Sequence, residues 1–166
     1  MTKEQYLRWS APYRGSRRKQ WILNAADKLV TVSVFFSYPF FLFYIAFCKG
    51  GRELFWNIAI PGVSFCVVSL FRKLYSAPRP YEVWGIAPLL YKDTKGKSFP
   101  SRHAFSVFVI GMVYFYDKTA LGAVVFFAGA VLSFVRVIGG VHFVKDVLAG
   151  AAFGVFAGMW FWVLGV

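Results

Sequence analysis

The sequence predicts an all-α polytopic membrane bundle of about five transmembrane helices, with a basic, amphipathic interfacial segment at residues 1–28 and a transmembrane domain at residues 29–166. Three observations predict it. Hydrophobic residues make up 58% of the chain and charged residues only 16%, a balance too apolar for an ordinary soluble domain. The apolar residues fall in runs near the roughly 20 needed to cross a bilayer core of about 30 Å. The charged residues gather between those runs rather than within them.

Leu29–Phe47 and Leu54–Phe71 carry no charge; a shorter run, Ala104–Tyr116, precedes Thr119–Val135 and Val147–Val166. Pro39 and Pro61 are expected to kink the first two spans, which membrane helices tolerate when neighbours satisfy the freed carbonyls. The first 28 residues are too polar to span. Tyr6, Leu7, Trp9, Tyr13, Trp21, Ile22 and Leu23 interleave there with arginines and lysines, the pattern of a segment lying on a membrane. No small-x-small site follows a brief apolar core, so the first span is expected to stay as an anchor rather than leave as a signal peptide. Cys48 and Cys66 fall at different depths, which fits neither a disulfide framework nor a zinc site. Gly150, Gly154 and Gly158 give the last span a face that another backbone can approach closely, from within the chain or from a second copy in a homodimer.

The residues that interrupt this apolar order form three clusters: Arg72, Lys73 and Arg79; Pro100, Ser101, Arg102 and His103; Arg136, His142 and Asp146. An ionised group in hydrocarbon costs roughly 2.5 to 3.5 kcal/mol or more, so such groups usually have a use. If five spans alternate in direction, all three clusters emerge on one side. Sixteen of the 19 lysines and arginines lie on that side, with only Lys49, Arg52 and Lys118 opposite. The positive-inside rule therefore favours a cytoplasmic-facing site, and a bacterial cytoplasmic membrane is the expected location.

Three converging guanidiniums, Arg72, Arg79 and Arg136, suit a tetrahedral dianion such as a phosphate group. Ser98, Pro100 and Ser101 are helix-start residues, so free backbone N–H groups would add a second anion-binding element. His103 beside it is placed to give a proton to a leaving oxygen. His142 and Asp146, four residues apart, share a helical face, so the carboxylate can fix the imidazole tautomer and prepare a nucleophile. Gly139 and Gly140 let the chain turn between Arg136 and His142. A metal site built on His103, His142 and Asp146 is disfavoured: two-metal phosphoryl chemistry calls for several carboxylates, and the surrounding arginines would repel a cation.

These blocks resemble the type 2 phosphatidic-acid phosphatase superfamily, which also contains the vanadium haloperoxidases. Its signature is Lys-x6-Arg-Pro, Pro-Ser-x-His or Pro-Ser-x-x-His, and Ser-Arg-x5-His-x3-Asp. Here the second block is Pro100-Ser101-Arg102-His103, and the third keeps the spacing Arg136, His142, Asp146 with Val135 at the serine position. The first block has Arg72 where lysine is usual, with Lys73 beside it. The resemblance covers roughly residues 54 to 160. It implies a metal-independent phosphatase without cofactor, in which His142 attacks phosphorus, Asp146 orients it and His103 protonates the leaving oxygen. Arg72, Arg79, Ser101 and Arg136, with the neighbouring Lys73 and Arg102, would hold the phosphoryl oxygens. Family members with six spans are common, and their site usually faces outward, opposite to the charge count here.

Tyr81–Tyr91 is largely apolar and reads either as an interfacial flap over a lipid entrance or as a loop resting on headgroups. A site at the interface, reached laterally, favours a lipid phosphate such as polyprenyl (for instance undecaprenyl) diphosphate, phosphatidate or phosphatidylglycerol phosphate. The alternatives are a non-catalytic phosphate-lipid binding protein and a small transporter of a phosphorylated compound, although the spans show no repeated halves. Nucleic acid is not an expected partner for the +12 charge; the bilayer is.

Overall fold

A computed structural model describes residues 1–165, and those residues are helical with connecting loops. The helices are α1 (Lys3–Arg14), α2 (Arg17–Cys48), α3 (Gly51–Tyr75), α4 (Pro80–Trp84), α5 (Arg102–Asp117), α6 (Thr119–Ile138) and α7 (Val144–Leu164). Four stretches are long and apolar enough to cross a membrane: Arg17–Cys48, Gly51–Trp84, Thr119–Ile138 and Val144–Leu164. The third apolar run forms α5, which has 16 residues and so rises about 24 Å at 1.5 Å per residue. It lies at the centre of the bundle, packed mainly on α7 and α6 and flanked by α3 and α2. Its neighbours replace lipid around it, and Phe105, Val107, Val109, Val113 and Tyr114 are all buried.

Small residues allow that central packing. Gly150, Gly154 and Gly158 are buried against α5, and a Cβ at Gly154 would stand 2.7 Å from the Phe105 carbonyl oxygen. The glycine face is thus occupied within the chain, and a homodimer through Gly150, Gly154 and Gly158 would have to displace α5. The carbonyl that Pro61 frees is satisfied as membrane helices require: the Tyr38 hydroxyl of α2 donates to the Asn57 carbonyl, which Pro61 leaves without its helical donor. Ser64 Oγ donates to the Ile60 carbonyl at 2.6 Å in the next turn.

The N-terminal segment is more tightly fastened than a peptide lying on headgroups. Thr2 and Gln5 form a reciprocal capping box at the start of α1, and Ser16 caps α2. The change from polar to apolar sequence at residues 28 and 29 falls inside the continuous helix α2. Tyr6 is fully buried, its ring 5.3 Å from that of Trp84 and its hydroxyl against Gly140, whose φ of +76° lies in the left-handed region. A side chain at Gly140 would meet strain and Tyr6 together. Arg14 donates to the Tyr6 hydroxyl within α1 at 2.9 Å and ties the helix to the Ala87 carbonyl at 3.4 Å.

Residues 81–91 are likewise no loose flap. Leu89 N–H and Leu90 N–H donate to the Gly139 carbonyl at 2.9 and 3.3 Å. Leu90 is buried with Leu23, Val135, Ile138 and Val141, and Asn24 Nδ2 donates to the Leu89 carbonyl at 3.2 Å. Backbone bonding and apolar burial fix the segment on the turn after α6. Tyr91 alone among its large apolar residues is almost wholly exposed, at 88%.

Candidate active site

The three clusters meet at one end of the bundle, and the first turn of α7 is where they are tied together. Asp146 is completely buried. Its Oδ2 accepts from Ser98 Oγ at 2.5 Å and from Phe143 N–H at 2.9 Å, and stands 3.6 Å from His142 Nδ1. Its backbone carbonyl accepts from Ser101 N–H at 2.7 Å. Asp146 thereby caps its own helix and locks the start of α5 to the start of α7, and it faces the imidazole together with Ser98, whose Oγ lies 3.4 Å from His142 Nδ1. With Nδ1 turned to the carboxylate, Nε2 is the ring nitrogen left for chemistry.

His142 precedes α7, in the turn that Gly139 and Gly140 open after α6. Burial holds its imidazole down to about 4, against the upward pull of Asp146; the charges of Arg79 and Arg136 push the same way as burial. The ring is neutral at ordinary pH, the state a nucleophile needs.

Arg72 and Arg79 are buried at 7% and 4% exposure and held by carbonyl oxygens of the loop before α5 and, for Arg79, of the turn after α6. Arg72 Nη1 donates to the carbonyls of Ser98 (3.1 Å) and Pro100, and Nη2 to that of Lys97. Arg79 donates from Nε to the Gly96 carbonyl at 3.0 Å, from Nη1 to Val141 at 2.9 Å and from Nη2 to Lys97 at 3.4 Å. A guanidinium has five N–H donors. Each of these gives three to backbone carbonyls and leaves two without a protein acceptor among the described residues. Glu82 fixes the loop in turn, accepting from Arg79 N–H at 2.7 Å and Gly96 N–H at 3.0 and 2.9 Å.

Arg136, at the end of α6, is held by a side chain of another helix: its Nη2 donates to Asp27 Oδ2 at 3.1 Å. Ser101 caps α5, accepting from Ala104 N–H at 3.5 Å, so the helix begins with N–H groups that lack intrahelical acceptors. His103, in the first turn of α5, is partly buried and within electrostatic reach of Arg136 and His142.

Two members of the expected phosphate-binding set stand apart. Lys73 is exposed, one residue round the helix from Arg72. Arg102 is also exposed and lies over the Phe65 ring, 5.5 Å from its centroid. Asp27, Ser98 and Glu82 have site-building contacts that their sequence context does not announce. Ser98 belonged to the expected helix start, but its hydroxyl serves Asp146 instead. Lys92, half-buried near Arg79 and Arg136, has its ammonium pushed down by burial and by those charges. Its signal in the sequence, a lysine after an apolar run, is too weak to single out.

His103 and Arg102 line a pocket of about 390 Å³ with Thr31, Phe35, Ser106 and Leu132. It shares Phe65, Ser106 and Ile110 with an adjoining pocket of about 280 Å³ that reaches Tyr38, Leu42, Ile58 and Pro61. Together they form a groove over α5 between α2 and α3. A larger apolar pocket of about 570 Å³ lies between α3 and α7, but none of the ionisable cluster residues lines it.

The crystal structure of Aquifex aeolicus LpxE is similar over 94% of this chain and 91% of that one, with a TM-score of 0.74 and 23% identity. That of the first transmembrane PAP2 type phosphatidylglycerolphosphate phosphatase from Bacillus subtilis is similar over 96% of this chain and 92% of that one, with a TM-score of 0.52 and 20% identity. At these identities the likeness is one of fold. No curated protein matches the sequence. Residues 50–165 match the family model of the PAP2 superfamily. The chain is a member of the PAP2 superfamily.

Proposed function

We propose that this protein is an integral membrane phosphatase that hydrolyses a phosphomonoester or diphosphate of a membrane lipid through a phosphohistidine at His142. The observation that carries the reading is the buried Ser98–Asp146–His142 constellation beside guanidiniums whose spare donors are held in place by backbone carbonyls. In the first step His142 Nε2 attacks phosphorus as the ester or anhydride P–O bond breaks, and His103 gives the departing oxygen its proton. In the second, water attacks the phosphohistidine, His103 takes the proton from water, the N–P bond breaks and inorganic phosphate leaves. Arg72, Arg79 and Arg136, with the opening N–H groups of α5, stabilise the charge on the equatorial oxygens, the dominant requirement of phosphoryl transfer. Asp146 keeps the imidazole in the attacking tautomer and stabilises its positive charge as the N–P bond forms.

The reading is metal-free because fixed guanidiniums supply the charge stabilisation that a divalent ion would otherwise give. A lipid substrate is supported by the groove between α2 and α3, which opens beside His103 and continues along apolar side chains. A departing headgroup oxygen at His103 could then keep its hydrocarbon chain in that groove. Phosphatidate, phosphatidylglycerol phosphate and polyprenyl diphosphate share this chemistry.

Phosphate release by the purified protein in detergent, with EDTA present and each of the three lipids in turn, tests the reading. Release that survives EDTA and disappears in His142→Ala is expected. Release abolished by EDTA would remove the metal-free mechanism, and no release from any of the lipids by folded protein would favour a binding role.

A further inference from the structure

Arg136 has an anchor of a different kind from those of Arg72 and Arg79. Its Nη2 donates to Asp27 Oδ2 at 3.1 Å, and its Nε lies 3.0 Å from Asp27 Oδ1. The pair is largely withdrawn from water, with the two side chains 8% and 19% exposed. A buried ion pair recovers its desolvation cost only with good geometry; here Nη2 makes the one hydrogen bond, while Nε and Oδ1 are close in charge contact but not aligned for a second. The carboxylate lies against the Nε–Nη2 side of the guanidinium and is bonded at Nη2, which leaves Nη1 on the side away from Asp27. No bond ties Nη1 to the protein among the described residues.

Asp27 is itself held. Leu23, one turn earlier in α2, is buried with Val135 and Ile138 on either side of Arg136. Asn24 Nδ2 donates to the Gln20 carbonyl at 2.8 Å and to the Leu89 carbonyl at 3.2 Å. These contacts pin the start of α2 to the end of α6, so the carboxylate meets Arg136 from a fixed helix. Asp27 also lies outside residues 50–165, the part of the chain that the family model matches.

We infer that Asp27 is a positioning residue for phosphate binding, which holds Arg136 from one side so that its Nη1 is presented to the phosphoryl oxygens. The inference rests on Arg136 being a phosphate ligand, and it makes the opening turns of α2 part of the site. A carboxylate acting only through its charge would have the opposite effect, because it would repel the anion. The two accounts therefore differ in sign.

Orthovanadate serves as the phosphate probe, with its binding to the purified full chain in detergent measured by calorimetry and folding checked by thermal melting. Positioning predicts about tenfold weaker binding in Asp27→Ala, a coupling of the size expected for directly contacting residues. Asp27→Asn, which keeps one acceptor oxygen in place, loses less and decides the matter should the alanine variant fail to fold. Arg136→Ala and Asp27→Ala/Arg136→Ala bind alike, since Asp27 acts only through Arg136. Unchanged or tighter binding in the Asp27 variants, with wild type binding and Arg136→Ala impaired, would overturn the inference and leave the phosphate site standing. Absence of binding by the wild type would overturn both.

Discussion

Arg72 and Arg79 are held by neutral oxygens, and Arg136 by a carboxylate. The difference separates two ways of keeping a buried cation in a protein that spans a membrane. Carbonyl oxygens from Gly96, Lys97, Ser98, Pro100 and Val141 satisfy donors of the first pair without cancelling charge. Their positive charge is thus available to an incoming anion. Asp27 neutralises Arg136 while the site is empty, and a bound phosphate would share the guanidinium with it. Asp146 and Glu82 offset part of the repulsion around Arg72 and Arg79 without pairing with their guanidiniums, and Asp27 offsets it at Arg136 by direct contact where α2 meets α6.

The comparison is broken most severely at the residue that both kinds of arginine serve. His142→Ala is expected to lower kcat by at least about 10³-fold, because covalent catalysis is lost while binding remains; phosphate-release kinetics measure it. Arg79→Ala is expected to cost about 10² to 10³-fold, the usual effect of removing one transition-state donor, and to lower thermal stability by freeing the Gly96 and Val141 carbonyls. Arg72→Lys keeps the charge but not the fork, so a smaller loss, about tenfold, is expected together with a lower melting temperature.

The pH profile sharpens the same contrast. His142 must be neutral to attack, and its pKa is held down to about 4 from an ordinary 6.5. The acid limb of kcat/KM is therefore expected near pH 4, and Arg79→Gln should move that limb upward by removing a cation; His103, which must hold a proton as the leaving oxygen departs, sets the alkaline limb. An acid limb that stays at 6.5 in the wild type would contradict the buried, neutral nucleophile. The smallest effects belong to the outlying cations: Lys73→Ala and Arg102→Ala should change kcat/KM by no more than about threefold, in keeping with exposed charges screened by solvent.

The helical class and the gathering of the three blocks were legible because apolar runs and motif spacing are local properties of the chain. His142 and Asp146 share a helical turn, and Ser101 caps a helix in the manner its type predicts. The anchors were not legible. Asp27 and Arg136 are 109 residues apart, and an aspartate beside Lys28 in a basic segment reads as a solvated charge. Backbone carbonyls that hold Arg72 and Arg79 leave no trace in side-chain identity. Tyr6 read as an interfacial aromatic, and only the left-handed turn at Gly140 reveals the space it fills. The short third run was visible, but its central place required knowing that the glycines of α7 pack on it.

The most direct measurement of the central claim is to quench the enzyme in alkali during turnover of a lipid substrate carrying a radioactive phosphoryl group, then locate the label. The account predicts an alkali-stable, acid-labile label on His142 that is absent from His142→Ala and accumulates at short times. Rapid turnover of the same lipid with no protein-bound label, or with label on another residue, would contradict a phosphohistidine at His142.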